Sequence, residues 1–154
     1  MIIPEQERES FEQLFKIIYK DNDLASDLSF MVLECLHVWD DLYDGDSVTR
    51  SDGNKAFLNA MIKIPTHPLS RNIPHLPYMI QSIYLQWQAA NKMEERKKGF
   101  EKSFMLRAAV YQFFVDLSSY LYGIEHAESI SVLVWDWYGE TAKDIKEEFT
   151  CQHQ

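Results

Sequence analysis

Residues 100–122 read FEKSFMLRAAVYQFFVDLSSYLY, and Gly123 follows. Phe104, Val110, Phe113, Phe114, Leu117 and Leu121 recur at helical spacing, and Arg107 and Asp116 are the main mid-stretch charges. A stretch this apolar around its circumference belongs inside a bundle, so it is expected to be the central helix. The two charges are expected to be paired or hydrogen-bonded.

Working outward, Gly99 separates this stretch from a helix expected over about 77–98, with Pro77 in its first turn. Upstream, Pro65 to Pro77 holds four prolines and reads as a loop, with His67 and His75 exposed on it. A short helix over 55–64 is expected before it, capped by Ser51 or Asp52. Residues 24–44 form a longer helix stopped by Gly45, and residues 5–20 form the first, with Phe11, Leu14, Phe15 and Ile18 on one face. A last helix is expected over about 127–149. No stretch alternates as a strand does. The fold class is all-α: a single-domain bundle of five to six helices over 1–154, with about 65% or more of its residues helical.

The chain has 154 residues, 46% of them hydrophobic, which suits one domain and excludes disorder as the main state. No run is long and apolar enough for a membrane span, and the acidic start lacks the order of a signal peptide. Cys35 and Cys151 have no partner spacing and read as free thiols, which implies a cytoplasmic setting.

Charge is unevenly placed. The net charge is −9. Residues 21–54 hold nine acidic side chains against Arg50 alone, and residues 123–154 hold seven against two basic ones. Such a balance disfavours nucleic acid, which needs clustered Lys and Arg. It favours cations or a basic protein surface.

Within the acidic segment, Glu34, His37, Asp41 and Asp44 fall within about 80° of one another on a helix, with Asp40 about 40° further round. Crowded carboxylates repel, and a divalent cation relieves them. No basic residue stands at helical spacing to do so. Asp136, Glu140 and Asp144, at i, i+4 and i+8, make a second stripe on the last helix. Facing each other, the two stripes would form a Mg or Mn site, with Arg50 or Arg107 receiving phosphate oxygens. Other constellations fit less well. Only Glu34/His37 has the spacing of a di-iron bundle ligand pair, residues 44–52 lack the glycine of a calcium loop, and the ExxE and ExxD turns of helical pyrophosphohydrolases appear here on one helix. The four tryptophans read as core or interface anchors.

Two resemblances rest on these residues. Asp40-Asp41-Leu42-Tyr43-Asp44 resembles the first aspartate-rich motif, DDxxD, of isoprenoid (trans-prenyl) synthases. Arg50 stands where their second basic residue follows, and Thr49 replaces the first. Glu34 and His37 are similar to an upstream ExxH but lie one turn closer, and Asp136 to Glu140 keeps only the outer acids of the second motif. This resemblance implies magnesium pyrophosphate held between the motifs, although the chain is roughly half as long as those enzymes. The segment from His37 to Asp46, with Phe104 to Ala109 and Tyr122-Gly123, is similar to small, mostly uncharacterised helical bacteriophage proteins. That implies a phage origin, in host cytoplasm or virion, and brings no reaction with it.

Two functions are therefore expected of the acidic stripe. One is a divalent-metal site acting on a phosphate- or pyrophosphate-bearing substrate. The other is a non-enzymatic interaction or virion protein whose acidic face docks a basic protein partner. A homo-oligomer is compatible with both.

Overall fold

The computed structural model describes residues 3–139 and residue 143. Of these, 83% are helical, and no strand occurs among the described residues. No described helix is long and apolar enough to cross a membrane. The chain divides into two compact units, one through Pro74 and one from His75.

The first unit opens with α1 (Glu5–Ile18), which buries the expected Phe11, Leu14, Phe15 and Ile18. Phe15 meets Phe30 edge-on at 5.0 Å, and the buried Tyr19 hydroxyl shares a 2.8 Å hydrogen bond with Ser29. These contacts hold α1 on α2 (Asp23–Asp44). The Asn22 side chain caps α2 by accepting from the Ala25 N–H, and Gly45 ends it at φ 81°, where a side chain would be strained.

Beyond Gly45 the chain turns back along α2. Thr49 caps α3 (Arg50–Leu58): its hydroxyl accepts from the Asp52 N–H and donates to the Asp52 carboxylate. That reciprocal pair starts the helix earlier than the expected Lys55. A π-helical turn, Asn59–Lys63, follows, then α4 (Ile64–Thr66). Pro65 explains the widening. It has no N–H, and its ring would collide with the carbonyl one turn back. The backbone opens instead, and the Ile64 N–H bonds to the carbonyl of Asn59. The expected proline loop also contains α5 (Pro68–Asn72), whose first turn is capped by the His67 ring. His67 is therefore buried, not exposed; His75 is exposed as expected.

In the second unit α6 (Leu76–Glu95) carries Pro77 in its first turn, and Gly99 precedes α7 (Phe100–Arg107). The stretch expected as one central helix is two, α7 and α8 (Ala109–Tyr122), broken at Ala108. The Trp87 indole N–H donates to the Arg107 carbonyl at 2.8 Å, and the Tyr111 N–H turns to the carbonyl of Ala108. A side chain from α6 thus takes the acceptor a continuous helix would have used. α8 packs against α6, α7 and α9 (Ile124–Asp136). It is not apolar all round: Gln112, Asp116 and Tyr120 form an exposed edge, and Asp116 accepts from Gln112 rather than pairing in the core. The last helix starts at Ile124 and ends at Asp136; residues 137–139 are not helical, so the expected helix over 127–149, and with it a continuous stripe from Asp136 to Glu140 and Asp144, is interrupted there.

Candidate functional site

Glu34 and the acidic end of α2 occupy different environments. Glu34 sits where α2 is buried on several sides, and its side chain is 5% exposed. A lone carboxylate there would be costly. Three helical segments supply donors. Lys55 Nζ of α3 lies 2.5 Å from Oε1, Arg8 Nη1 of α1 lies 3.3 Å from Oε1, and Asn59 Nδ2 of the π turn donates to Oε2 at 2.9 Å. Arg8 also lies over the Phe30 ring at 4.5 Å. Both oxygens of Glu34 are thus engaged by side chains 21 to 26 positions away in sequence. The cations missing from its own helix come from α1 and α3.

Beside it, the Cys35 thiol donates to the Ala56 carbonyl at 3.4 Å. Burial, reinforced by the charge of Glu34, pushes its pKa up to about 11, which favours the protonated thiol. His37 Nε2 lies 3.4 Å from the Glu7 carboxylate of α1. Burial pulls the His37 pKa down, but the Glu7 hydrogen bond and the charges of Glu7, Asp40 and Asp41 outweigh it and leave the value raised.

From Asp40 onward α2 emerges. Asp40 and Asp41 are half-buried, Asp44 and Asp46 are exposed, and Leu42 and Tyr43 are exposed between them. These carboxylates stand at the negative end of the helix dipole, and the last turn of α2 contains no basic residue.

The other expected site residues lie elsewhere. Arg50 is the exposed first residue of α3. Arg107 is committed inside the second unit: Nε and Nη2 hold the two oxygens of Glu94 at 2.8 and 2.5 Å, and Ser103 donates to the same carboxylate. Arg107 also lies over the Trp87 ring at 5.6 Å. Asp136 is the exposed end of α9, whereas Glu140 and Asp144 lie outside the described residues. Among the described residues no group of three or more His, Cys, Asp or Glu side chains is set to hold a metal ion.

Arg8, Lys55, Asn59 and Glu94 were not singled out from the sequence. One signal was present: Lys55 and Asn59 are one turn apart, and Asn59 interrupts the apolar run Ala56 to Ile62. A polar residue within such a run marks a buried partner.

No known protein family model matches the chain, and neither a curated protein nor a solved structure matches it.

Proposed function

We propose that the carboxylate-rich end of α2 docks a basic protein partner. The supporting observation is the placement of Asp40, Asp41 and Asp44 at the C-terminal end of a helix with no basic residue in its last turn. Each carboxylate there opposes the dipole by about 0.3–1 kcal/mol. Exposed Leu42 and Tyr43 beside them add apolar anchor points to a charged rim, the usual composition of a transient interface. Docking also suits the neighbouring residues better than a Mg or Mn site does, because Glu34 and His37, the other expected ligands, already have partners of their own.

The test sets charge against geometry. A Lys-rich decapeptide is titrated into the wild type and two triple variants at Asp40, Asp41 and Asp44, one with Asn and one with Glu. Docking predicts at least a tenfold loss of affinity for the Asn variant and near-wild-type binding for the Glu variant, both depending on salt. A metal site requires ligand oxygens held to about 0.5 Å, which an added methylene exceeds. A rise in Tm with Mg or Mn that disappears in the Glu variant would overturn docking in favour of metal and phosphate chemistry.

A further inference from the structure

Phe57, Leu58, Met61 and Ile62 are 68, 41, 61 and 54% exposed. They follow one another at i, i+1, i+4 and i+5, so they form one outward stripe along α3 and the π turn. The inward side of the same segment carries Ala56, Asn59 and Ile64. This inverts the usual arrangement, in which a surface helix turns its large apolar residues to the core. The Glu34 cluster accounts for the inversion. Lys55 and Asn59, one turn apart, both bond its carboxylate, and the Ala56 carbonyl receives the Cys35 thiol. These contacts fix the rotation of the segment and hold the stripe outward.

The acidic end of α2 lies beside the start of this segment. Glu34 meets Lys55 and Asn59, Cys35 meets Ala56, and Asp27 lies 3.8 Å from His67, so the segment runs back antiparallel along α2. Asp41, Asp44 and Asp46 therefore lie toward the start of α3, and Phe57 stands about 10 Å further along it at 1.5 Å per residue. The four stripe residues expose on the order of 400 Å², a patch size that on a monomer is often functional. It is about half of what each partner of a standard interface buries, so it suits one helix better than a whole second copy. Residues 1–74 carry thirteen acidic and seven basic side chains, a net negative balance that favours a cationic partner over a second copy of the chain.

We infer that the outward stripe of Phe57, Leu58, Met61 and Ile62 is the apolar half of a docking surface for a basic amphipathic helix, whose cationic end lies over the α2 carboxylates. The inference rests on the docking function proposed above and deepens it. Lys55 is spent on Glu34, and Lys63 at the far end of the stripe repels a cationic terminus. The bound helix therefore has one favoured direction.

The probe is a Leu/Lys peptide of about five turns with leucine on one face. A peptide with serine replacing leucine keeps the charge alone. The proteins are the wild type, the double variant Phe57→Ser/Met61→Ser, and the triple Asn variant at Asp40, Asp41 and Asp44. The expected result is at least tenfold weaker Leu/Lys binding by the double variant, with its weak binding of the Ser/Lys peptide unchanged. The triple variant should weaken both peptides and flatten the salt dependence. If the double variant binds Leu/Lys like the wild type while the triple variant fails, the stripe inference falls and acidic docking stands. If the triple variant binds both peptides like the wild type, docking through the carboxylates falls, and this inference with it. Dimers of the wild type that the double variant abolishes, or wild-type binding to phosphatidylcholine vesicles that it loses, would assign the stripe to a second copy or to lipid and overturn the inference.

Discussion

Each unit buries a glutamate among its described residues, and the two are satisfied in different ways. Glu94 of α6 takes both its main partners from α7, 9 and 13 positions away, and the Arg107 pair is bidentate with a guanidinium only 14% exposed. Glu34 of α2 collects single donors from α1, α3 and the π turn, and its two cations, Arg8 and Lys55, are 37 and 46% exposed. The Glu94 cluster closes one local helix pair, where the geometry of a planar fork is fixed. The Glu34 cluster joins distant segments and sets how one of them is rotated. The first is a fastening. The second also decides which side chains the first unit shows to solvent.

The largest expected effect separates the two. Arg107→Ala strands a carboxylate that is 2% exposed and should cost about 3–5 kcal/mol. Lys55→Ala leaves Glu34 with Arg8 and Asn59 and removes a cation already half in water, so it should cost about 1–2 kcal/mol. Denaturant unfolding of both variants measures the difference. Equal losses would mean that the spread of donors gives Glu34 no redundancy.

A smaller effect, of opposite sign, sharpens the contrast at the helix ends. α6 has Lys92 in its last turn and Arg96, Lys97 and Lys98 just beyond, all of which complement its dipole. α2 ends on Asp40, Asp41 and Asp44 with no base. Changing these three to Asn should therefore stabilise the protein by about 1–2 kcal/mol in all at low salt, read as a higher midpoint with unchanged slope. The gain should shrink at high salt. A loss of stability would show that the carboxylates support the fold and would remove the reason for assigning them to a partner.

How far the sequence discloses this follows from the range of each interaction. The faces of α1 and the stops at Gly45, Gly99 and Gly123 depend on residues a few positions apart, and all were legible. The break at Ala108 depends on Trp87, and His67 is buried where it caps α5 and meets Asp27 of α2; neither follows from periodicity. The acidic residues from Glu34 to Asp44 do lie on one helix, as their spacing implies. A helical wheel cannot show that Arg8 and Lys55 arrive at Glu34 from other helices, so Glu34 and Asp41 look alike although one is buried and the other half-buried where α2 emerges. Arg107 shows the same limit. Its place in an apolar stretch signalled a partner but did not say that the partner was Glu94.

The smallest expected effect concerns two histidines of the first unit whose titrations oppose each other. His37, beside Glu7, Asp40 and Asp41, has its pKa raised, so folding favours its protonated form. Its contribution to stability is fully present below the ordinary value of 6.5 and fades as pH rises through the raised folded value. His67 is the reverse. Burial lowers its pKa more than Asp27 raises it, and its Nδ1 must stay unprotonated to accept the Leu69 N–H. Its contribution is present above 6.5 and is lost as pH falls through the lowered value. The two partly cancel in the whole protein, so a bulk melting curve against pH is a poor measure of either. Site-resolved NMR titration separates them: the His37 ring should titrate above 6.5 and His67 below it. Glu7→Gln should bring His37 down while leaving His67 in place, because Glu7 touches only the first. A His37 titration unmoved by that change would mean that the acidic end of α2, rather than the contact with α1, holds its proton, and the Asn variant at Asp40 and Asp41 would then have to lower it instead.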